Sequence, residues 1–311
     1  MYSVCSVGTS FKIGVDGGGT KTELILVDSA GAIVARHLAP GCNPNQVGPE
    51  NARAILRAGL DALLAQSQIS ELKSEISASL WCMAGHRAFW RETADALTGF
   101  GRITTTDDSF PVLELATDGA PGLVLHAGTG SFVAARAPDA SIHYVGGLGW
   151  KLGDPGSGYD LGRRAIAMAL LELQVRPAAA RSPLAATLCT HTGLPDYPAN
   201  SRFFYNDPTA NAQIAAFAPR VIELAAQDCD PAQQVLADSL TELARVADGV
   251  IRRLFPQPTA QLPCGVSGRI LNSPPAVFVL RSLASKLNWP VALRFIDTAP
   301  IEGVRRLLVR M

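Results

Sequence analysis

Two short glycine-rich segments, each placed between two apolar runs, constrain the fold of this chain more than any other feature. The first has the sequence DGGGTKT over residues 16–22, and the second has AGTGS over residues 127–131, about 110 residues later. The flanking runs are typical of strands joined by a tight turn. Glycine lets backbone N–H groups approach an anion closely, and Thr or Ser adds a hydroxyl donor. The repetition predicts a duplicated β-hairpin unit that holds the phosphates of one nucleotide from opposite sides.

Apolar periodicity predicts an alternation of strands and helices along the rest of the chain. The first part is expected to contain strands at 11–15, 22–27, 32–38, 76–83 and 102–106 and helices at 49–64, 87–97 and 109–116. After Pro121 the order of strand, glycine turn and strand begins again. From Gly158 the sequence becomes rich in Ala and Leu at helical spacing, before a tail with strands at 261–266 and 291–295.

Composition places the chain among globular proteins and excludes several classes of partner. Of the 311 residues, 48% are hydrophobic and 17% charged, which allows ample core for two domains. Lys plus Arg and Asp plus Glu each total 27, so no basic field favours nucleic acid or anionic lipid. Because no apolar stretch reaches about 20 residues, a membrane span is not expected.

The cysteines indicate neither a structural zinc site nor a disulfide framework, since no C-x-x-C spacing is present. They are Cys5, Cys42, Cys82, Cys189, Cys229 and Cys264. This scatter favours a reducing compartment, and we expect a cytoplasmic protein. The segment Met1–Ser10 lacks a basic start and a long apolar core, so it is not expected to be a secretion signal.

Asp16 and Lys21 are the charged residues of the first glycine turn. A carboxylate at Asp16 can hold a hydrated Mg²⁺ near phosphates, because this ion keeps several waters and takes only one or two carboxylates; the alternative is an Asp that binds its own turn. Lys21 precedes a strand rather than a helix, so the segment is not a Walker A motif. Lys21 is expected either to touch a phosphate or to lie solvated at a strand edge.

Asp107 and Asp108 follow the predicted strand at 102–106 and precede the second glycine turn. A carboxylate there is suited to remove a proton from a substrate hydroxyl as it attacks a γ-phosphoryl group. The alternative is an Asp that caps the following helix. Two adjacent carboxylates permit both roles, and the sequence leaves open which residue takes which.

Three further segments are candidates for ligand contact. The segment 146–158 has six glycines in 13 residues, which predicts a loop that approaches a ligand, with Asp154 as a hydrogen-bond acceptor for hydroxyls. Asn43 or Asn45 can contact a polyol or simply form a turn beside Pro44. The segment 265–268 is compatible with passage under an adenine ring, although a strand that ends in a glycine turn is common.

Together these motifs resemble the N-acetylglucosamine kinase branch of the BadF/BadG/BcrA/BcrD ATPase family, part of the sugar kinase, Hsp70 and actin superfamily. The resemblance covers nearly the whole chain. It implies an α/β fold of two ribonuclease-H-like lobes, each with a mixed five-stranded sheet, and nucleotide and sugar in the cleft between the lobes. The first lobe would span 1–118 and be completed by a C-terminal helix at about 296–311. The second would span 119–295 and include a helical insertion.

The resemblance also implies roles for individual residues. Asp108 matches the catalytic base, and Asp16 matches the residue that holds Mg²⁺. The residues matching sugar-binding positions are Asn43, Asp108, Gly128, Thr129 and Asp154. The residues matching nucleotide-binding positions are Asp16, Gly17, Gly18, Gly19, Thr20, Lys21, Gly128, Thr129, Gly130, Ser131, Gly265 and Val266.

Three departures from the family pattern bear on the substrate. Leu148 stands where a tryptophan is usual, with Trp150 two positions later, and Pro155 replaces the signature glutamate. The adenosine motif has the sequence CGVS over residues 264–267 rather than two glycines and a valine. Pro155 removes both a carboxylate and a backbone donor.

The implied activity is phosphorylation of an amino sugar at its 6-hydroxyl with ATP and Mg²⁺, N-acetylglucosamine being the first choice. Glucosamine or an N-acetylmuramic-type sugar is the alternative substrate. Two other hypotheses stay open: an ATPase that activates a redox enzyme, and a regulator that binds sugar without catalysis. The family also implies a homodimer, and no nucleic-acid or membrane partner is expected.

Overall fold

The computed structural model describes residues 10–67, 75–258 and 260–311, so Cys5 lies outside the described residues, as does the segment Met1–Ser10 apart from Ser10 itself. The chain divides into two compact units. Unit 1 comprises Met1–Asp118 and Thr298–Met311, and unit 2 comprises Gly119–Asp297. Each unit contains one five-stranded sheet.

Both units contain strands and helices, which are numbered here in chain order. The strands are β1 (Phe11–Gly17), β2 (Lys21–Val27), β3 (Ile33–Pro40), β4 (Ile76–Met83), β5 (Arg102–Asp107), β6 (Gly122–Ala127), β7 (Ser131–Arg136), β8 (Ile142–Gly146), β9 (Leu262–Ser267) and β10 (Val291–Ile296). The helices are α1 (Pro44–Val47), α2 (Pro49–Gln66), α3 (Arg87–Asp95), α4 (Ser109–Thr117), α5 (Gly158–Val175), α6 (Pro183–Thr192), α7 (Tyr197–Asn206), α8 (Ala210–Ala226), α9 (Asp230–Leu254), α10 (Pro274–Lys286) and α11 (Pro300–Arg310). One turn of 3₁₀-helix lies at Ala178–Ala180.

The sheet of unit 1 has the strand order β3-β2-β1-β4-β5. The first three strands form the predicted antiparallel meander, while β4 and β5 run parallel to β1. One face packs on α2 and α3 through a core that includes Val15, Leu56 and Trp90. On the other face α11 approaches β1 closely, because Gly14 has no side chain where a Cβ would lie 2.8 Å from Val304. The chain therefore returns to unit 1 at its C-terminal end.

The sheet of unit 2 has the order β10-β9-β6-β7-β8 and repeats the same plan. Strands β6, β7 and β8 are antiparallel neighbours, and β9 and β10 run parallel to β6. Helices from the Ala- and Leu-rich segment cover one face of this sheet, where Leu125, Phe217 and Leu243 belong to one buried core. Burial of such large apolar side chains is the main stabilising contribution to this unit.

The predicted α/β class with two mixed five-stranded sheets is confirmed. Both glycine segments join antiparallel strands, with Gly17 opposite Thr22 in one hairpin and Ala127 opposite Ser131 in the other. Two helices were not predicted, α1 in the polar loop after β3 and α7, which carries a proline in its first turn. Within the described residues, every helix is too short or too polar to cross a membrane.

Candidate active site

The parallel strands of unit 1 bring the predicted carboxylates to one edge of the sheet. The register pairs Gly17 of β1 with Met83 of β4, and Met83 with Asp107 of β5. Because the carboxyl ends of parallel strands share an edge, Asp16 and Asp108 come close enough for their charges to interact. This edge is therefore the part of unit 1 in which the candidate acid–base and metal-binding groups meet.

Asp107 and Asp108 differ sharply in their surroundings. Asp107 is buried, forms an ion pair with Arg87, and accepts hydrogen bonds from the hydroxyl and the backbone N–H of Ser109. Asp108 is the N-cap residue of α4, but its side chain makes no capping hydrogen bond. Burial, and then the nearby charge of Asp107, raise the pKa of Asp108 to about 6. Asp107 thus holds the strand end and the helix start together, while the Asp108 side chain makes no capping bond.

Asp16 has an even more strongly raised pKa, about 7, first because of burial and then because of Asp108, with Lys21 acting in the opposite direction. A cation beside this carboxyl would relieve the repulsion between the two aspartates, and oxygen is the donor that Mg²⁺ prefers. Within the described residues no group of three or more His, Cys, Asp or Glu side chains is placed to enclose a metal ion. The donor set thus fits a Mg²⁺ held by one or two carboxylates together with water and phosphate.

The first glycine turn packs tightly against its neighbours. The Gly17 carbonyl accepts from Ala84 N–H at 2.7 Å, and the Gly18 carbonyl accepts from Cys42 N–H at 3.1 Å. A Cβ at Gly41 would lie only 2.0 Å from the Gly19 carbonyl oxygen, so glycine is required where the chain passes the turn. These contacts fix the backbone of residues 17–19, and exposed Thr20 lies at the tip.

Lys21 is paired with a neighbouring carboxylate of its own strand. Its ammonium group lies 3.0 Å from Glu23, whose buried carboxylate also binds Arg36 at 3.0 Å. Lys21 nevertheless remains half exposed and influences Asp16 electrostatically. Lys21 is therefore a half-exposed residue at the end of the glycine turn, paired with Glu23.

Asn43 lies in the same unit, in the loop that follows β3. Its side-chain oxygen accepts from Asn45 N–H at 3.0 Å and caps α1. This oxygen also lies 3.0 Å from the position of a Cβ at Gly85, in the loop after β4. Asn43 is partly exposed.

The second glycine turn is tied to the glycine-rich loop that spans residues 146–158. Gly128 N–H donates to the Gly130 carbonyl at 2.8 Å, and Gly158 N–H donates to the Gly128 carbonyl at 2.8 Å. The Ser131 hydroxyl donates to the Pro155 carbonyl at 2.7 Å. Thr129 is exposed at the tip. Pro155, although it lacks an N–H, therefore contributes to the turn through its carbonyl.

Asp154 is buried between this loop and the turn. It accepts from Gly149 N–H at 3.1 Å, and one of its oxygens lies 2.8 Å from the position of a Cβ at Gly130. Burial raises the pKa of Asp154, while hydrogen bonds from the backbone of Gly149, Leu148 and Ser131 oppose that rise. The carboxylate thus ties the loop to the second glycine turn, a contact that the sequence did not indicate.

The predicted adenosine residues Gly265 and Val266 are buried inside β9, paired with Val124 and Leu125 of β6. The backbone leaves the sheet one step later, at Ser267 and Gly268. Gly268 has φ +101°, and a Cβ there would lie 2.0 Å from the Ala127 carbonyl oxygen, beside the second glycine turn.

Next to this strand end His126 stacks on Phe132 and lies 3.3 Å from the Ser267 hydroxyl. Burial lowers the pKa of His126 to about 4, so its ring is neutral at pH 7. A neutral ring beside the turn adds a hydrogen-bonding group without adding charge.

Sequence reasoning missed a polar network that supports the glycine-rich loop. Gly156 N–H donates to the Ser239 hydroxyl at 2.9 Å, and that hydroxyl donates to Asp160 at 2.6 Å. Arg164 completes the network with two hydrogen bonds of 2.9 Å to Asp160. The spacing of four residues between Asp160 and Arg164 was a usable signal for that pair. Nothing in the sequence pointed to Ser239, which lies 79 positions away.

Comparisons with known proteins agree with this geometry. A model of the BadF/BadG/BcrA/BcrD ATPase family matches residues 13–277. The chain is 26% identical over 295 residues to an N-acetyl-D-glucosamine kinase of Dictyostelium discoideum, covering 90% of this chain and 91% of that protein. It is 26% identical over 171 residues to an N-acetylmuramic acid/N-acetylglucosamine kinase of Clostridium acetobutylicum, covering 53% and 55%.

Among solved structures, the chain is similar to a protein of Chromobacterium violaceum that is provisionally assigned as an N-acetylglucosamine kinase. The identity is 27% and the TM-score 0.76, with 97% of this chain and 99% of that chain covered. The match spans both units, so the predicted actin-like ATPase fold is confirmed.

Proposed function

The chain belongs to the BadF/BadG/BcrA/BcrD ATPase family, and from this premise we propose that it transfers the terminal phosphoryl group of ATP to the 6-hydroxyl of an amino sugar, most readily N-acetylglucosamine. Two relatives whose names include N-acetylglucosamine kinase support this substrate class. The relative from Clostridium acetobutylicum adds an N-acetylmuramic-type sugar as a second candidate.

The observation that carries the proposal is the division of roles between the two adjacent aspartates. Asp107 forms an ion pair with Arg87 and accepts hydrogen bonds from Ser109. The Asp108 carboxyl, in contrast, makes no capping bond and has a pKa of about 6. A base with this pKa is ionised at pH 7 and still basic enough to accept a proton. Asp108 is thus suited to orient a sugar hydroxyl and take its proton as the hydroxyl attacks phosphorus.

The remaining residues contribute positioning and electrostatics, which dominate catalysis of phosphoryl transfer. ATP supplies the phosphoryl group, and Mg²⁺ neutralises charge on it when both are bound. We assign Asp16 to the metal and the turns at residues 17–20 and 128–131 to the phosphates. Asn43 is suited to a sugar hydroxyl, and Asp154 holds the loop beside the second turn. For adenosine, the strand end at residues 267–268 is better placed than residues 265–266 inside the strand.

A screen for ADP release over hexoses, hexosamines and N-acetylated amino sugars tests the proposal, with ³¹P and ¹³C NMR to locate the new phosphate. We expect turnover with N-acetylglucosamine or an N-acetylmuramic-type sugar and phosphate at the 6-position. Turnover with neither, at enzyme concentrations that bind ATP, would overturn it. Size-exclusion chromatography with light scattering tests the predicted homodimer.

The alternative of an ATPase activator has one structural feature in its favour, since Cys229 is the N-cap residue of α9. However, this thiol is buried, as are those of Cys42, Cys82 and Cys264. A cluster shared between subunits needs accessible thiolates. Iron and sulfide analysis of anaerobically purified protein separates the two functions, and we expect neither element.

A further inference from the structure

A side-chain amide outside every predicted motif lies directly over the first glycine turn. Gln46 is the third residue of α1, and its backbone N–H donates to the Asn43 carbonyl at 2.9 Å. Val47, the next residue, packs against the core of unit 1 and anchors this short helix. The base of the Gln46 side chain is therefore held in place, although the side chain itself is exposed.

The amide of Gln46 occupies the space that a side chain at position 19 would need. Its Nε2 and Oε1 atoms both lie 2.7 Å from the position of a Cβ at Gly19, and its Cδ lies 3.0 Å away. The backbone of Gly19 does not require positive φ. The contact therefore shows how close the amide lies to the turn, although a flexible side chain could move aside for a methyl group.

The Gln46 amide has no hydrogen-bond partner of its own within residues 10–67, 75–258 and 260–311. Two other donors near this turn are already engaged. Gly18 N–H donates to the Lys21 carbonyl at 2.9 Å, and the Lys21 ammonium group pairs with Glu23. An uncharged donor held over a phosphate turn, with no acceptor among the described residues, is suited to an anionic oxygen of the ligand.

Resting on the proposed function, we propose that Gln46 is a catalytic residue whose Nε2 donates a hydrogen bond to the terminal phosphoryl group of ATP. Asp16, at the same strand end, carries the metal-binding role, and the amide contributes a donor without adding charge. Since ADP and AMP lack this phosphoryl group, the contact discriminates ATP from its products. The side chain therefore favours binding of ATP over retention of ADP.

The test compares Gln46→Leu and Gln46→Glu with Gln66→Leu, a matched substitution of a glutamine in unit 1 whose amide contacts His37 instead. Binding of a non-hydrolysable ATP analogue, ADP and AMP is measured by calorimetry in the presence of Mg²⁺. Loss of a hydrogen bond to a charged group predicts about tenfold weaker binding of the analogue to Gln46→Leu. Gln46→Glu should lose at least as much, because its carboxylate repels phosphate. ADP and AMP affinities should stay within about twofold of the wild-type values, and Gln66→Leu should match the wild type throughout.

Gly19→Ala provides an independent variant, because its methyl group would displace the amide without straining the backbone. It should reproduce the selective loss for the ATP analogue, and the double variant with Gln46→Leu should bind no more weakly than either single variant. Additive losses, equal losses for all three nucleotides, or no loss in Gln46→Leu would each overturn the assignment. Failure of the wild type to phosphorylate any amino sugar would instead refute the substrate class. The comparison of ATP-analogue and ADP affinities would still test the role of Gln46 in that case. Wild-type protein that binds none of the nucleotides would overturn both.

Discussion

Replacing Asp16 by asparagine should stabilise the metal-free protein at alkaline pH. In the folded chain the pKa of Asp16 rises from 3.8 to about 7, first through burial and then through the charge of Asp108. A raised folded-state pKa means that the folded chain holds the proton more tightly than the unfolded chain does. The resulting stabilisation is complete below pH 3.8 and is lost as the pH rises through about 7. The Asp16→Asn variant would carry no such dependence, because an amide does not titrate in this range.

The size of the effect follows from the two pKa values. A difference of about three between them corresponds to about 4 kcal/mol. Asp16 as a whole is only partly buried, so we allow for screening by solvent and expect about 2 kcal/mol between pH 4 and pH 8. For a chain of 311 residues that difference corresponds to about 3 °C in Tm. Mg²⁺ should raise the Tm of the wild type at pH 8, because a ligand of the folded state stabilises it.

Thermal unfolding at pH 5 and pH 8, in EDTA and in excess Mg²⁺, provides the assay. Asp16→Asn should unfold above the wild type at pH 8 in EDTA, unfold close to it at pH 5, and gain little from Mg²⁺. Asp61→Asn is the matched control, since Asp61 is half exposed on α2 and pairs only with Arg57 among the described residues. A Tm for Asp16→Asn at pH 8 equal to or below that of the wild type would refute the reasoning.

Further predictions concern the base, the loop and the strand end. Asp108→Asn should lower kcat about 10²- to 10⁴-fold with nucleotide affinity nearly unchanged, and unaltered turnover in the ADP-release assay would contradict its role as base. The wild-type kcat/KM for sugar should fall about tenfold per pH unit below about 6, as Asp108 becomes protonated; a flat profile from pH 7 to pH 4.5 would argue against it. Asp154→Ala should raise the KM for both sugar and ATP, since it releases the loop from the second turn, whereas an effect on kcat alone would contradict this positioning. Gly268→Ala should lower stability by about 3 kcal/mol through strain and the clash with Ala127, and unchanged urea unfolding would show that the strand end relaxes freely.

The sequence predicted a strand or helix correctly wherever its apolar residues form a local pattern and are buried in the fold. Short apolar runs predicted β1 and β2, and the glycines between them predicted the turn. The helix α1 was missed because its four residues are mostly polar and carry no apolar repeat; its start depends on the Asn43 side chain. The helix α7 was missed because Pro198 suggests a break, whereas a proline in the first turn does not disturb a helix.

The candidate site was less predictable, because its decisive contacts link residues distant in sequence. The sequence offered both Asp107 and Asp108 as the base, and the contact of Asp107 with Arg87, 20 positions earlier, distinguishes their surroundings. Segment 265–268 was recognised, but its glycine motif alone could not show that Gly265 is paired within the sheet and that Gly268 borders the second turn. Strand register supplies that information, and register is set by tertiary packing.

The same feature that makes Asp16 and Asp108 suited to chemistry also makes them unfavourable for stability. Burial and the charge of Asp108, at the same sheet edge, raise the pKa of Asp16, and among the described residues neither aspartate has an arginine partner of the kind that neutralises Asp107. A purely structural edge would be more stable with one of them replaced by a neutral residue. A pair of this kind is explained if a cation and a phosphoryl group enter between the charges during function. The stability gained by Asp16→Asn and the activity lost by Asp108→Asn therefore both report on the placement of these two carboxylates at one sheet edge.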